Sequence, residues 1–79
     1  MTKLKLKMAG QEFKANGESI ADALGAIGYP RLIKGKIFLE IDSDGGKTSR
    51  VLNAFQLKRL KFNDVYRKIF AKNIELFLR

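Results

Sequence analysis

Lysine and apolar side chains alternate strictly from Lys3 to Met8, placing Leu4, Leu6 and Met8 on one face of an extended segment and three lysines on the other. The pattern predicts a half-buried strand with a solvated outer face. Ala9-Gly10 supplies a turn, and Gln11–Ala15 returns with Phe13 and Ala15 inward, closing a hairpin. The period then changes. Ile20, Ala23, Leu24 and Ile27 fall at i, i+3, i+4 and i+7, a single helical stripe. Ser19 precedes it as N-cap with Asp22 three residues on, Gly28 fits the position just past the last turn, and Pro30 prevents continuation. Gly25 costs this helix roughly 1 kcal/mol against alanine, which predicts a close approach to the sheet at that point.

Leu32–Ile41 is a second strand candidate, with Ile33, Ile37, Phe38, Leu39 and Ile41 interrupted by Gly35. Asp42-Ser43-Asp44-Gly45-Gly46 is a strong turn signal, and Lys47–Leu52 returns as the partner strand. Asn53 to Phe62 has two readings. As a strand it sets Phe55 and Leu57 against Leu60 and Phe62. As a helix capped by Asn53 it groups Ala54, Leu57 and Leu60, leaving Phe55, Lys58, Arg59 and Phe62 on the other side. The helix is favoured, because Gln, Leu, Lys and Arg are good helix formers. Asn63-Asp64 then break and re-cap the chain. In the last segment Val65/Tyr66, Ile69/Phe70, Asn73/Ile74 and Phe77/Leu78 recur every four residues, a broad apolar arc. Asp64–Lys68 and Glu75–Arg79 support this helix as i,i+4 ion pairs. Asn73, inside the arc, needs hydrogen-bond partners in the core or at an interface.

These elements predict one α+β domain over residues 1–79. Two antiparallel β-hairpins form a sheet, a short helix follows the first hairpin, and a longer C-terminal helix packs on the sheet, in the order ββαββ(α)α. At this length folding buries only about 60% of the unfolded surface, so stability is modest, on the order of 5 kcal/mol. The opening hairpin followed by Ser19–Ile27 resembles the start of a ubiquitin-like β-grasp domain over about a third of the chain, without a specific motif, and no function is carried over from it.

Charge separates the two halves. Residues 1–45 hold seven Lys/Arg against six Asp/Glu, residues 46–79 nine against two, so the second half carries +7 of the net +8. Such a concentration attracts phosphates, anionic lipid or an acidic protein surface. The first strand's three lysines have a different explanation, as protection of a sheet edge against aggregation.

Catalysis is disfavoured. Without cysteine or histidine, the hydroxyls of Thr2, Ser19, Ser43, Thr48 and Ser49 have no imidazole base, and the commonest metal ligands are missing, so no cofactor or metal is expected. Asp42 and Asp44 read as turn-formers; a calcium loop would need an acidic twelfth position, which is Asn53. Gly25-Ala26-Ile27-Gly28 ends a helix, where phosphate is repelled, so it is no phosphate loop. The Lys–apolar alternation at the start is no signal peptide, no run reaches the ~18 apolar residues of a membrane span, and a cytoplasmic location is expected.

The candidate site is the basic region, in which Arg50, Lys58, Arg59, Lys61, Arg67, Lys68 and Lys72 are interleaved with Phe55, Phe62 and Tyr66. Cations supply phosphate contacts, and exposed aromatics stack on unpaired bases for ~1–3 kcal/mol each. The competing reading makes the phenylalanines core and the cations solubilising charge. The expected function is a non-catalytic module binding nucleic acid, RNA or a ribonucleoprotein ahead of a DNA site, because no recognition helix presents base-reading side chains in a known motif. The alternative is a protein-interaction or assembly module, a small accessory subunit of a larger complex or a phage-type adaptor, meeting an acidic protein surface through the apolar face of the C-terminal helix. No small-molecule substrate is expected. Weak association with a membrane surface is a third class, but it would need the apolar face that the core requires.

Overall fold

A computed structural model describes residues 1–33 and 35–78. The chain runs β1 (Thr2–Met8), β2 (Gln11–Gly17), α1 (Ile20–Ala26), β3 (Ile37–Ser43), β4 (Gly46–Leu52), α2 (Ala54–Phe62) and α3 (Asp64–Leu78). The α+β reading and the helical reading of residues 53–62 both hold. The strands form one antiparallel sheet in the order β2-β1-β3-β4. In the first hairpin Ala9 (φ 47°) and Gly10 (φ 79°) both take the left-handed conformation that a tight two-residue turn requires.

Alternation determines what each face of the sheet does. Leu4, Leu6, Met8, Ile37, Leu39, Ile41 and Leu52 turn inward and meet Ile20, Ala23 and Leu24 of α1, Leu57 and Leu60 of α2, and Ala71 and Ile74 of α3 in one contiguous core. All three helices lie on that face. The opposite face is open and carries a lattice of charges, including Lys5–Glu12 at 3.7 Å, Lys7–Glu40 at 3.5 Å and Lys47–Asp42 at 3.8 Å. β1 therefore does not lie at an edge: it pairs with β2 and β3, and its Lys5 and Lys7 find cross-strand partners on the solvated face.

Other local expectations are revised. The candidate strand Leu32–Ile41 begins only at Ile37. Gly35 adopts φ +70° and Leu32 is exposed, so the chain before Ile37 cannot extend the ladder. Gly25 is not the point of close approach, since a Cβ there would meet nothing within 4 Å; that point is Gly17, whose Cβ would fall 2.5 Å from the backbone nitrogen of Ala23. Gly28 does not take the left-handed cap conformation; instead the Tyr29 N–H donates to the Ile27 carbonyl at 3.1 Å. Asn73 is exposed, so it has no core role. Of the two i,i+4 pairs, Asp64–Lys68 forms at 3.3 Å, and Arg79 lies outside the described residues.

Tyr29 ties the loop after α1 back to the helix, its hydroxyl donating to the Leu24 carbonyl at 2.8 Å. Burial pushes the phenol from its ordinary 10.0 up to about 12, against the pull of the Arg67 charge. The folded state holds this proton more tightly than the unfolded chain. Its contribution to stability is therefore complete below pH 10.0 and lost as pH rises toward about 12. Tyr29→Phe is expected to cost about 1 kcal/mol near neutrality and to lose less stability on alkalinisation than the native chain. Urea unfolding at neutral and strongly alkaline pH measures both.

Candidate functional site

The sequence places a double-faced helix after β4, and its caps make it regular. Asn53 Oδ1 accepts from the Gln56 N–H at 2.8 Å, while Gln56 Oε1 accepts from the Asn53 N–H at 3.0 Å, a reciprocal capping box. At the other end the Asn63 N–H donates to the Arg59 carbonyl at 2.8 Å, and Arg67 Nη1 donates to the carbonyls of Leu60 and Lys61 at 2.8 and 3.1 Å. Leu57 and Leu60 are fully buried and fix the rotation of α2 about its axis. Helical periodicity then delivers Phe55, Lys58, Arg59 and Phe62 to the opposite face.

Phe55 is 63% exposed and Phe62 77% exposed, which rules out the reading in which they belong to the core. Each ring has a cation over it. The Arg59 guanidinium lies 4.6 Å from the centroid of Phe55 and 5.7 Å from that of Tyr66, and Lys61 Nζ lies 5.0 Å from that of Phe62. Lys58, Arg59 and Lys61 make no ion pair among the described residues. Phe55, Lys58, Arg59 and Phe62 line a shallow depression of about 470 Å³, completed by Asn63, Asp64 and Val65. Sequence reasoning did not anticipate those last three as part of the surface.

The remaining predicted residues go elsewhere. Arg50 lies on the helix side of β4, donating to Thr48 Oγ1 at 2.7 Å and to the Ser49 carbonyl at 2.8 Å, with its guanidinium 4.5 Å from the ring of Phe77. Phe77 is in the last turn of α3, about 18 Å along the helix from Val65. Arg67 is largely covered and occupied by the α2 carbonyls and by Asp64, 3.1 Å from its Nη2. It is a helix cap, of the kind that basic side chains provide at carbonyl ends. Lys68 pairs with Asp64, whose carboxyl is held below its usual range by hydrogen bonds first from Arg67 and then from Lys68. Lys72 is exposed on α3, away from the depression.

α3 shows a second departure from expectation. Its broad apolar arc is only half used: Ile74 is buried and Tyr66, Phe70 and Leu78 pack partly covered against the core, beside the buried Ala71, whereas Val65, Ile69 and Phe77 of the arc, and Leu76 next to them, are more than half exposed. The excess width of the arc was the one available signal in the sequence. No helix among the described residues is long and apolar enough to cross a membrane.

Comparison of the chain with protein-family models, with curated proteins and with solved structures returned no match.

Proposed function

We propose that this chain is a non-catalytic binding module whose α2 face engages the phosphate backbone of nucleic acid, with single-stranded RNA as the preferred ligand and the cytoplasm as its setting. The observation that carries the reading is the exposure of Phe55 and Phe62 beside Lys58, Arg59 and Lys61, cations with no ion pair among the described residues. Apolar rings are costly to leave in water on a small protein, and a base can cover them while the cations meet its phosphates. An unpaired strand suits this surface better than a duplex, whose bases are already stacked. Arg50 and Arg67 are not included, because their guanidinium groups are engaged within the fold.

Fluorescence anisotropy with single-stranded RNA, duplex RNA and duplex DNA tests the proposal on nuclease-treated protein. Single-stranded RNA is expected to bind at micromolar concentration or better and ahead of both duplexes. Its affinity should fall by about one to two decades between 50 and 200 mM salt if about three to five phosphates are contacted. Equal, weak binding of all three ligands would mean that the charge is generic.

A second reading, an assembly module with a protein partner, is favoured by a separate observation: the exposed aliphatic side chains Val65, Ile69 and Leu76 of α3.

A further inference from the structure

Val65, Ile69, Lys72 and Leu76 follow one another along α3 at i, i+4, i+7 and i+11, one line about 16 Å long on the side away from the buried Ala71 and Ile74. We propose that this line is the seat of an acidic amphipathic helix belonging to a partner protein. The inference goes beyond the RNA reading and does not depend on it. Aliphatic side chains offer a nucleic acid neither a stacking face nor a hydrogen bond, so the ligand proposed for α2 reaches this line only at Val65, which borders the α2 depression, and leaves Ile69 and Leu76 uncovered.

Lys72 determines the chemistry of the occupant. Its ammonium interrupts the apolar line and makes no ion pair among the described residues. The carboxylate one turn away, Glu75 at i+3, does not pair with it among the described residues, and Asp64, two turns back, is held by Arg67 and Lys68. A purely apolar partner would bury Lys72 unpaired, which is strongly unfavourable. The occupant must therefore bring a carboxylate to Lys72 between apolar anchors that meet Ile69 and Leu76. An amphipathic helix with acidic flanks presents this arrangement at its own i, i+3, i+4 and i+7 positions. A second copy of this chain fits poorly, since two molecules of net charge +8 repel and most of that charge lies in the half containing α3.

The test uses a fluorescein-labelled synthetic helix of about twenty residues, with leucine on one stripe and glutamate elsewhere, against a scrambled peptide of the same composition and a version with lysine for glutamate. The acidic amphipathic peptide is expected to bind at least about tenfold more tightly than either control at physiological salt. Ile69→Gln, at a site 55% exposed, should weaken it by about tenfold or more with an unchanged circular dichroism spectrum and unchanged RNA affinity. Binding of the peptide without binding of RNA would leave this proposal standing and remove the α2 reading; the reverse would do the opposite. Equal affinity for the scrambled peptide would overturn the inference. So would a dimer in size-exclusion chromatography that Ile69→Gln dissolves, because the occupant would then be a second copy.

Discussion

Replacing Lys58, Arg59 and Lys61 together by glutamine is expected to lower single-stranded RNA affinity by about one to two orders of magnitude at physiological salt, and to flatten the log–log salt dependence by about 2. The three cations flank the exposed rings of Phe55 and Phe62, and none is committed to an ion pair among the described residues. Each phosphate they neutralise releases counterions, which is why the slope should fall together with the affinity. The change should not unfold α2. Glutamine is nearly as good a helix former as lysine or arginine, and the capping box of Asn53 and Gln56 and the buried Leu57 and Leu60 are untouched. Some loss of favourable interaction with the helix carbonyl end is expected from Arg59 and Lys61, but Arg67 continues to cap that end. Anisotropy titrations at several salt concentrations measure affinity and slope together. An unchanged slope would mean that these residues touch no phosphate.

Gly17→Ala is expected to be the most damaging single methyl in the protein, costing about 2–3 kcal/mol and lowering Tm by about 10–20 °C. The new Cβ would lie 2.5 Å from the backbone nitrogen of Ala23, 2.9 Å from the carbonyl carbon of Asp22 and 3.0 Å from the Cα of Ala23. All are main-chain atoms of α1, so no side chain can swing aside. The helix itself would have to move off β2, disturbing Ala23 and Leu24 in the core. In α1 itself, Gly25→Ala has open space around its Cβ and an ordinary backbone conformation. It should instead add about 1 kcal/mol and raise Tm by about 4–8 °C. Thermal melts of the two variants, opposite in sign on the strand and the helix that meet at Gly17, separate packing from helix propensity.

Those two glycines also mark where sequence reading loses its hold. Periodicity is a property of one segment, and the strands, α1 and α3 were visible in it, whereas residues 53–62 fitted either period and were favoured as α2 only by helix propensity. The capping of α1 by Ser19 and of α2 by Asn53 was visible too, because a cap is a local arrangement. Contact between segments is not local. Nothing in the composition around Gly17 or Gly25 says which one α1 presses against, so the helical glycine drew the expectation that belongs to the strand residue. The same limit placed the lysines of β1 at a sheet edge, although the order β2-β1-β3-β4 puts them in the middle.

At the candidate site the ambiguity was chemical. α2 has leucines on one face and phenylalanines on the other, and hydrophobicity alone does not say which pair faces the core. Arg67 was indistinguishable from its basic neighbours until the carbonyl end of α2 appeared beside it. The face shared by Phe55, Lys58, Arg59 and Phe62 was legible because it follows from helical spacing. Its exposure was not.

The most direct test of the α2 reading is single-stranded RNA affinity of the Phe55→Ala, Phe62→Ala double variant, measured by anisotropy beside the native chain. Both rings are exposed, so the fold should survive their loss, as circular dichroism can verify. Stacking on two bases, at about 1–3 kcal/mol each, predicts a loss of at least about thirtyfold with an unchanged salt slope, because no phosphate contact is removed. Native affinity in a folded double variant would contradict the account and move the site away from α2.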